Sequence, residues 1–527
     1  MTALVASARR VVEQALEAYT AEPADADTVW ALGVLGDARA RLDEPLRVAL
    51  AGTLKSGKST LLNALVGERV AATDAGECTR VVTWYHDATR TSVVREEPDG
   101  RRVDVPFSHG PDGLTIDPTG VGEPEEGTRL LVGWPSAGLA ETTLVDTPGL
   151  DSARRENSER TVTFVTPDDR PSGADVVVYL MRQAHPSDVR FLEAFADLAR
   201  GGAGGLGGVG AAGTVVVLAR ADEVGGGRVD ALERAGRVAD AYAADPLLRP
   251  LCQTVVAVDG LLAETARTLR QAEFCALRAL ARAPRDAVDA MLLSVDRFTA
   301  PTLPAAVGDE LADGDRGRLD ARARTALLAR CGLYGVRVAT AALRSEPGAE
   351  PVDSAALAAE LLRASGVENL QEVLRTRVTE RADVFKARSA LLALSMVLDR
   401  VPRKRSAPLV LELERVLVGA HEFAEQRHCA ALRSGTVAMP AEQMAEAERL
   451  LGGEGSSPAA RLGLADDEQD WAPTAADALV RWRARAESPM TSRSVAEVSR
   501  GVVRSLEAMV APTATPRRQR GRGRVGV

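Results

Sequence analysis

Residues 52–59, Gly-Thr-Leu-Lys-Ser-Gly-Lys-Ser, form a complete G-x-x-x-x-G-K-S phosphate loop, flanked by the two segments that such a loop needs. The apolar run Leu46-Arg47-Val48-Ala49-Leu50-Ala51 before it reads as a buried strand. The run Thr60-Leu61-Leu62-Asn63-Ala64-Leu65-Val66 after it reads as a helix with one apolar face. A strand, a curled glycine turn and a helix N-terminus in that order constrain the fold more than any other feature of the chain. They call for a sheet of mostly parallel strands with helices on both faces. The loop N–H groups of Gly52, Ser56, Gly57, Lys58, Ser59 and Thr60, with the helix dipole behind them, suit a polyphosphate. Lys58 would reach the β- and γ-phosphates, and the Ser59 hydroxyl would ligate Mg²⁺. A chain with 46 glycines can produce the motif by chance, but chance does not supply the strand and helix in register.

A second element follows in the expected order. Thr142-Thr143-Leu144-Val145 is a short strand that runs into Asp146-Thr147-Pro148-Gly149-Leu150. Asp146 at a strand end can hold Mg²⁺ through water, and the Gly149 N–H can meet a γ-phosphate and lose that contact after hydrolysis. Alone, this would be an ordinary Pro-Gly turn; behind a phosphate loop it marks a switch. Between the two lies Gly76-Glu77-Cys78-Thr79-Arg80, where a mobile threonine would complete the metal shell. Thr79 is the candidate, with Thr73 and Thr83 as competitors and a solvated turn residue as the plain alternative.

The strand Thr214-Val215-Val216-Val217-Leu218 leads into Ala219-Arg220-Ala221-Asp222, at the place of a guanine-reading N/T-K-x-D element. Asp222 can accept from guanine N1–H and N2–H₂, which adenine does not offer, so GTP is expected over ATP. Arg220 can lay its stem and guanidinium over a purine. Ala219, however, removes the side chain that ordinarily ties this loop to the phosphate loop. A strand over 254–258, ending at Asp259-Gly260, is the natural last loop of the base site.

With these residues on the page, the chain resembles the bacterial dynamin-like GTPases, and within them an actinobacterial group. The likeness rests on G-T-L-K-S-G-K-S-T-L-L-N-A-L-V-G, C-T-R, D-T-P-G-L and A-R-A-D, with Glu44–Lys55 and Ser365–Leu370 as further stretches. It covers residues 44–270 well and the remainder loosely. The resemblance implies Mg²⁺ as cofactor and GTP as substrate, and pairing of two GTPase domains from copies of the chain or a sister dynamin-like protein. Two departures stand out. Leu54 and Lys55 replace the Gln-Ser pair of eukaryotic dynamins, and Leu150 stands where Ras-like enzymes carry a water-orienting glutamine. Lys55 can place a fixed charge near the bridging oxygen, or be a solvated loop lysine. Slow basal turnover is expected, completed by association. The alternatives are a nucleotide-gated scaffold that barely hydrolyses, and an ATP-using relative.

Composition bounds the rest. Apolar residues at 45% and charged residues at 26% suit a folded chain of two or more domains, and a net charge of −9 argues against nucleic acid as a partner. The five cysteines, Cys78, Cys252, Cys275, Cys331 and Cys429, are scattered and odd in number, so a reduced, cytoplasmic setting is expected. Charges at Arg9, Arg10 and Glu13 break the N-terminal apolar pattern, so no signal peptide is read, and no uninterrupted apolar stretch reads as a membrane span. Residues 1–44 read as two helices, the second capped by Asp27, that pair with a C-terminal bundle as the resemblance implies. Residues 45–380 are read as the GTPase domain, with strands at 46–51, 81–85, 142–145, 175–181, 214–219 and 254–258 and an antiparallel edge from 90–134. A long helix over 366–399, further helices over 407–433 and 438–452, and one over 474–510 place a stalk-type bundle at 381–510. The glycine-rich stretch 201–213 reads as a linker, and 511–527 as a disordered basic tail suited to peripheral contact with an anionic membrane.

Overall fold

The computed structural model describes residues 2–53, 55–71, 81–110, 113–117, 127–148, 164–165, 171–198, 209–308, 319–344, 352–465 and 470–510. Its centre is a nine-stranded sheet in the order β11-β10-β9-β1-β8-β2-β7-β3-β4. The strands are β1 (Leu46–Gly52), β2 (Val82–Asp87), β3 (Ser92–Glu96), β4 (Arg102–Asp104), β7 (Arg129–Trp134), β8 (Thr142–Asp146), β9 (Val176–Met181), β10 (Thr214–Ala219) and β11 (Val255–Val258). β5 (Phe107–Gly110) and β6 (Gly113–Ile116) pair as a separate hairpin. From β11 through β8 every neighbour is parallel. β2 then runs antiparallel to β8, and β3 runs antiparallel to β7 and β4, which gives the antiparallel edge expected from 90–134. All six strands read from the sequence are present, with boundaries within two residues.

β1 is buried along its whole length because both faces are covered. Val48 and Leu50 pack with Leu61 and Leu62 of α3 (Lys58–Val66) on one face, while Ala49 and Ala51 pack with Val177 and Tyr179 on the other. Each such valine or leucine contributes roughly 1.5–3 kcal/mol of burial. The strand C-termini therefore converge on the phosphate loop.

The N-terminal helices are α1 (Ala3–Thr20) and α2 (Ala26–Arg41). The cap of α2 is Asp25, which accepts from Thr28 N–H at 2.8 Å, rather than Asp27. Asp25 holds the extended backbone that a cap needs, whereas Asp27 already lies in the first turn. Both helices pack on Ala382–Arg400, and α1 packs also on Ala407–Gly419, with Tyr19 OH donating to Val401 O.

Three expected helices are broken. The segment 366–399 divides into Val367–Arg377 and Ala382–Arg400 around a turn at Thr379–Arg381. Val378 and Phe385 belong to the core under the sheet, while Ala387–Val401 belong to the core of α1 and α2, so the chain must re-aim between them. Ala420 is extended and separates Ala407–Gly419 from His421–Arg433. The segment 474–510 is two helices, Ala472–Glu487 and Arg493–Val510, because Pro489 lacks a donor and disfavours helical Ser488.

Compact units divide at Phe423/Ala424, later than the boundary near 380 read from sequence. The helices of 382–419 remain with the first unit because Arg41 and Arg388 converge with Arg47 on the buried Asp175 at the start of β9. Unit 424–527 has its own core around Leu450, Trp482, Val502 and Leu506. The helix Ala321–Leu343 is long and apolar enough to cross a membrane, yet its Leu327, Cys331, Tyr334 and Ala339 are buried in a helical core, and it is kinked at Gly332.

Candidate functional site

The phosphate loop leaves β1 at Gly52, whose φ of +148° and contact with the Leu180 carbonyl exclude a side chain. Gly57, at φ +96°, turns the chain into α3 as its N-cap. Lys58 is buried, and its Nζ donates to Gly52 O at 3.1 Å and Thr53 O at 3.2 Å. The loop thus folds over its own lysine, and burial lowers that ammonium's pKa. A polyphosphate would supply the counter-charge that two carbonyl dipoles only partly replace.

Ser59 Oγ donates to Asp146 Oδ2 at 3.0 Å, so the end of β8 meets the first turn of α3. Asp146 is buried; burial pushes its carboxyl up to about 6 against the pull of Lys58 and Ser59. Among the described residues, its buried Oδ1 has no hydrogen-bond partner. A hydroxyl and an under-satisfied carboxylate are hard oxygen donors, so these residues fit Mg²⁺. Thr147 Oγ1 donates to Leu50 O at 2.8 Å and fixes the turn that follows. Gly149, Thr79, Thr73 and Leu54 lie outside the described residues.

Ser56 and Gly57 open a cavity that runs to Arg220, Asp222 and Asp259, over a floor of Leu180, Val217 and Ala219. Thr60 lines it as well. Arg220 has φ +55° and Lys55 φ +59°, the two non-glycine residues in the left-handed region among the described residues. Arg220 Nη2 donates to Lys55 O at 3.0 Å and Nη1 to Glu223 Oε1 at 2.8 Å. The tie between base loop and phosphate loop that Ala219 cannot make is therefore made by Arg220. The Lys55 side chain itself is exposed. Asp222 is raised above the usual carboxylate range, first by burial and then by Glu223.

Sequence reasoning missed two contributors, Glu223 and Asn63, and left the role of Asp259 within its loop unassigned. Glu223 holds both Arg220 and Arg182, the latter at 2.6 Å. Asn63 accepts from the N–H groups of Val70 and Ala71 at 2.9 and 2.8 Å, and so anchors the chain entering the segment with Thr79. Asp259 caps Gly260–Arg267 through Leu262 N–H at 3.1 Å inside the cavity. The Asp259 turn was read from the sequence as the last loop of the site, whereas neither Glu223 nor Asn63 has a local signal.

A central parallel sheet, a glycine loop closing on its lysine, and a serine–aspartate pair at the adjacent strand end define a phosphate-loop nucleotide-binding domain of the switch class. The model of the dynamin family matches residues 48–194. The chain is 39% identical over 507 residues to the isoniazid-induced protein IniC of Mycobacterium tuberculosis, covering 95% of this chain and 97% of that protein. It is 31% identical over 166 residues to the isoniazid-induced protein IniA of the same organism, covering 28% of this chain and 25% of the relative. A bacterial dynamin-like protein of Nostoc punctiforme is 27% identical over 162 residues, 28% of this chain and 22% of that protein. The chain belongs to the dynamin family, and its α/β domain is a dynamin-type GTPase domain.

Proposed function

We propose that this protein is a dynamin-like large GTPase that binds and hydrolyses GTP and uses the nucleotide cycle to associate with itself or with a sister chain. The observation that carries the reading is the continuity of the site. One cavity joins the phosphate loop to Arg220 and Asp222, and Ser59 and Asp146 stand hydrogen-bonded beside the same loop. Lys58 neutralises charge on the β- and γ-phosphates, with the loop N–H groups from Gly52 to Thr60 around it. Ser59, Asp146 and Thr79 are the residues that hold Mg²⁺, which when bound offsets the charge of the phosphate oxygens. Asp222 reads the guanine edge and Arg220 covers the base.

Thr79 and Gly149 respond to the γ-phosphate, so the surface they form differs between triphosphate and diphosphate states. Ordering of the attacking water comes from a facing domain, with Lys55 as this chain's own exposed cation near the phosphates. IniC and IniA occur in one organism, which makes a sister chain a reasonable partner to test. The basic residues of 511–527 are the proposed peripheral contact with an anionic membrane at its cytoplasmic face, at roughly 1 kcal/mol per basic residue near the surface.

The test is phosphate release from GTP and from ATP across a wide range of protein concentration, with and without lipid vesicles and a sister chain. Specific activity with GTP is expected to rise with concentration or on adding the sister, and Thr79→Ala to abolish the rise while nucleotide affinity holds. A rate per molecule that stays flat under all these conditions would favour the nucleotide-gated scaffold instead.

A further inference from the structure

The base end of the cavity contains two carboxylates. Asp222 follows β10 and Asp259 follows the adjacent strand β11, and both line the cavity that opens at Ser56 and Gly57. Asp259 is 2% exposed. Its own N–H donates to Ser365 O at 2.8 Å, so its backbone has no donor left for a ligand. Its Oδ1 accepts from Leu262 N–H at 3.1 Å. The Leu261 N–H also acts on this carboxyl, and Oδ2 is the oxygen that the Leu262 bond leaves to the cavity side.

The groups that act on Asp259 are Asp222 and Glu223 from the segment after β10, together with Tyr334 and Cys331 from the helix Ala321–Leu343. Burial pushes the phenol and the thiol up to about 12, so both are neutral near pH 7. Arg220 acts on Asp222. Burial, and then the charge of Asp222, lifts Asp259 to about 8, against the pull of the first-turn N–H groups of its helix. Two carboxylates in one low-dielectric pocket do not both ionise at neutral pH. The pair then presents one acceptor-only carboxylate and one carboxyl with a proton to give. Guanine's Watson–Crick edge is the complement, with O6 as acceptor beside N1–H and N2–H₂ as donors.

We propose that Asp259 is a second guanine-reading group, whose carboxyl donates to O6 while ionised Asp222 accepts from N1–H and N2–H₂. This rests on the reading of the cavity as a guanine site and adds a titratable element to it. Only the protonated Asp259 fits, since a carboxylate facing O6 repels it. Contact with O6 raises Asp259 further, so binding takes up a proton once free Asp259 begins to ionise. Affinity is flat below about pH 8 and falls by up to about tenfold per unit above it.

The experiment is calorimetric titration of the full chain with GDP and ADP between pH 6.5 and 9, in buffers of different ionisation enthalpy. The parent protein is expected to lose roughly fivefold in GDP affinity between pH 8 and 9, with net proton uptake. Asp259→Asn has a permanent donor and still caps its helix, so its profile should be flatter, without uptake. Asp259→Ser keeps a capping oxygen but lacks the reach, so folded Asp259→Ser should bind GDP at least tenfold more weakly at pH 7. Guanine N1–H titrates at the alkaline end in all three proteins alike, so the comparison between them isolates Asp259. The same pH profile and proton uptake in parent and Asp259→Asn would overturn the inference while a GDP preference left the guanine reading standing. Equal affinity for GDP and ADP, or none for either, would overturn both.

Discussion

Asp175→Asn tests how the helical layer is fastened to the nucleotide-binding sheet. Asp175 is 1% exposed at the start of β9. Its carboxylate accepts from Arg41 Nη2 at 2.9 Å and from Arg47 N–H at 3.0 Å, while Arg388 donates to its carbonyl at 3.0 Å. Arg41 and Arg388 are themselves buried, at 2% and 4% exposure, and the charge of Asp175 favours the ionised form of both. Burial already lowers Arg388 to about 10. The amide keeps the shape and one acceptor but removes the negative charge that two buried guanidiniums share. Removing one partner of a buried ion pair costs about 3–5 kcal/mol, mostly as the uncompensated charge left behind. The measurement is urea unfolding of the nucleotide-free chain, with Arg41→Met and the double variant completing a cycle. The single Asp175→Asn loss should lie near that range, and the double variant should lose clearly less than the sum of the singles. A loss below about 1 kcal/mol, or strict additivity, would show that the cluster is solvated or dispensable, and the reasoning would fail.

Other expectations follow from the site. Lys58→Ala should abolish binding of a non-hydrolysable GTP analogue, and calorimetry showing unchanged affinity would remove the phosphate-loop reading. Asp222→Asn should weaken GTP and relax discrimination against XTP, and unchanged affinity for both would show that the loop does not read the base. Arg220→Ala removes the bond to Lys55 O, so GDP affinity should fall roughly tenfold for a lost hydrogen bond to a charged group, with Arg220→Lys recovering part of it; equal affinities in all three proteins would refute the tie. Because the Asp146 carboxyl is raised to about 6, its ionisation penalty is full above that pH and gone below the unfolded value near 3.8. Asp146→Asn should therefore raise the melting temperature of metal-free protein at pH 7.5 by about 2–4 °C, fading toward pH 4, while GTP turnover is lost; a less stable variant at pH 7.5 contradicts it.

What could be read from the sequence was what local pattern encodes. The strands were legible because a sheet covered on both faces leaves near-continuous apolar runs, as in 46–51 and 214–218. Lys58, Ser59 and Asp146 were legible because their spacing follows from a strand–loop–helix geometry that one motif fixes. Helix breaks were harder. The break at Ser488-Pro489 had a proline to announce it, but the turn at Thr379–Arg381 has only the demand that flanking residues enter different cores. Nothing local encodes that demand. The same limit explains Asp25 against Asp27, two acids within one turn whose choice is decided by the backbone entering from Pro23.

The Arg220 end of the cavity shows the limit most sharply. Ala219 read alone predicts a loop cut loose from the phosphate loop, since the tie sought was at that one position. The tie exists because Arg220 adopts a left-handed backbone and reaches Lys55, which is left-handed too. Each such conformation costs roughly 1 kcal/mol or more for a residue with a side chain, so both persist only where surrounding contacts hold them. Glu223 does part of that holding, since it takes one guanidinium nitrogen of Arg220 and leaves the other aimed at Lys55 O. A pair separated by 165 residues, at positions whose backbone the residue types do not favour, is a property of the assembled site rather than of either segment. The tie to the phosphate loop persists without the usual residue because geometry moved the bond one position along.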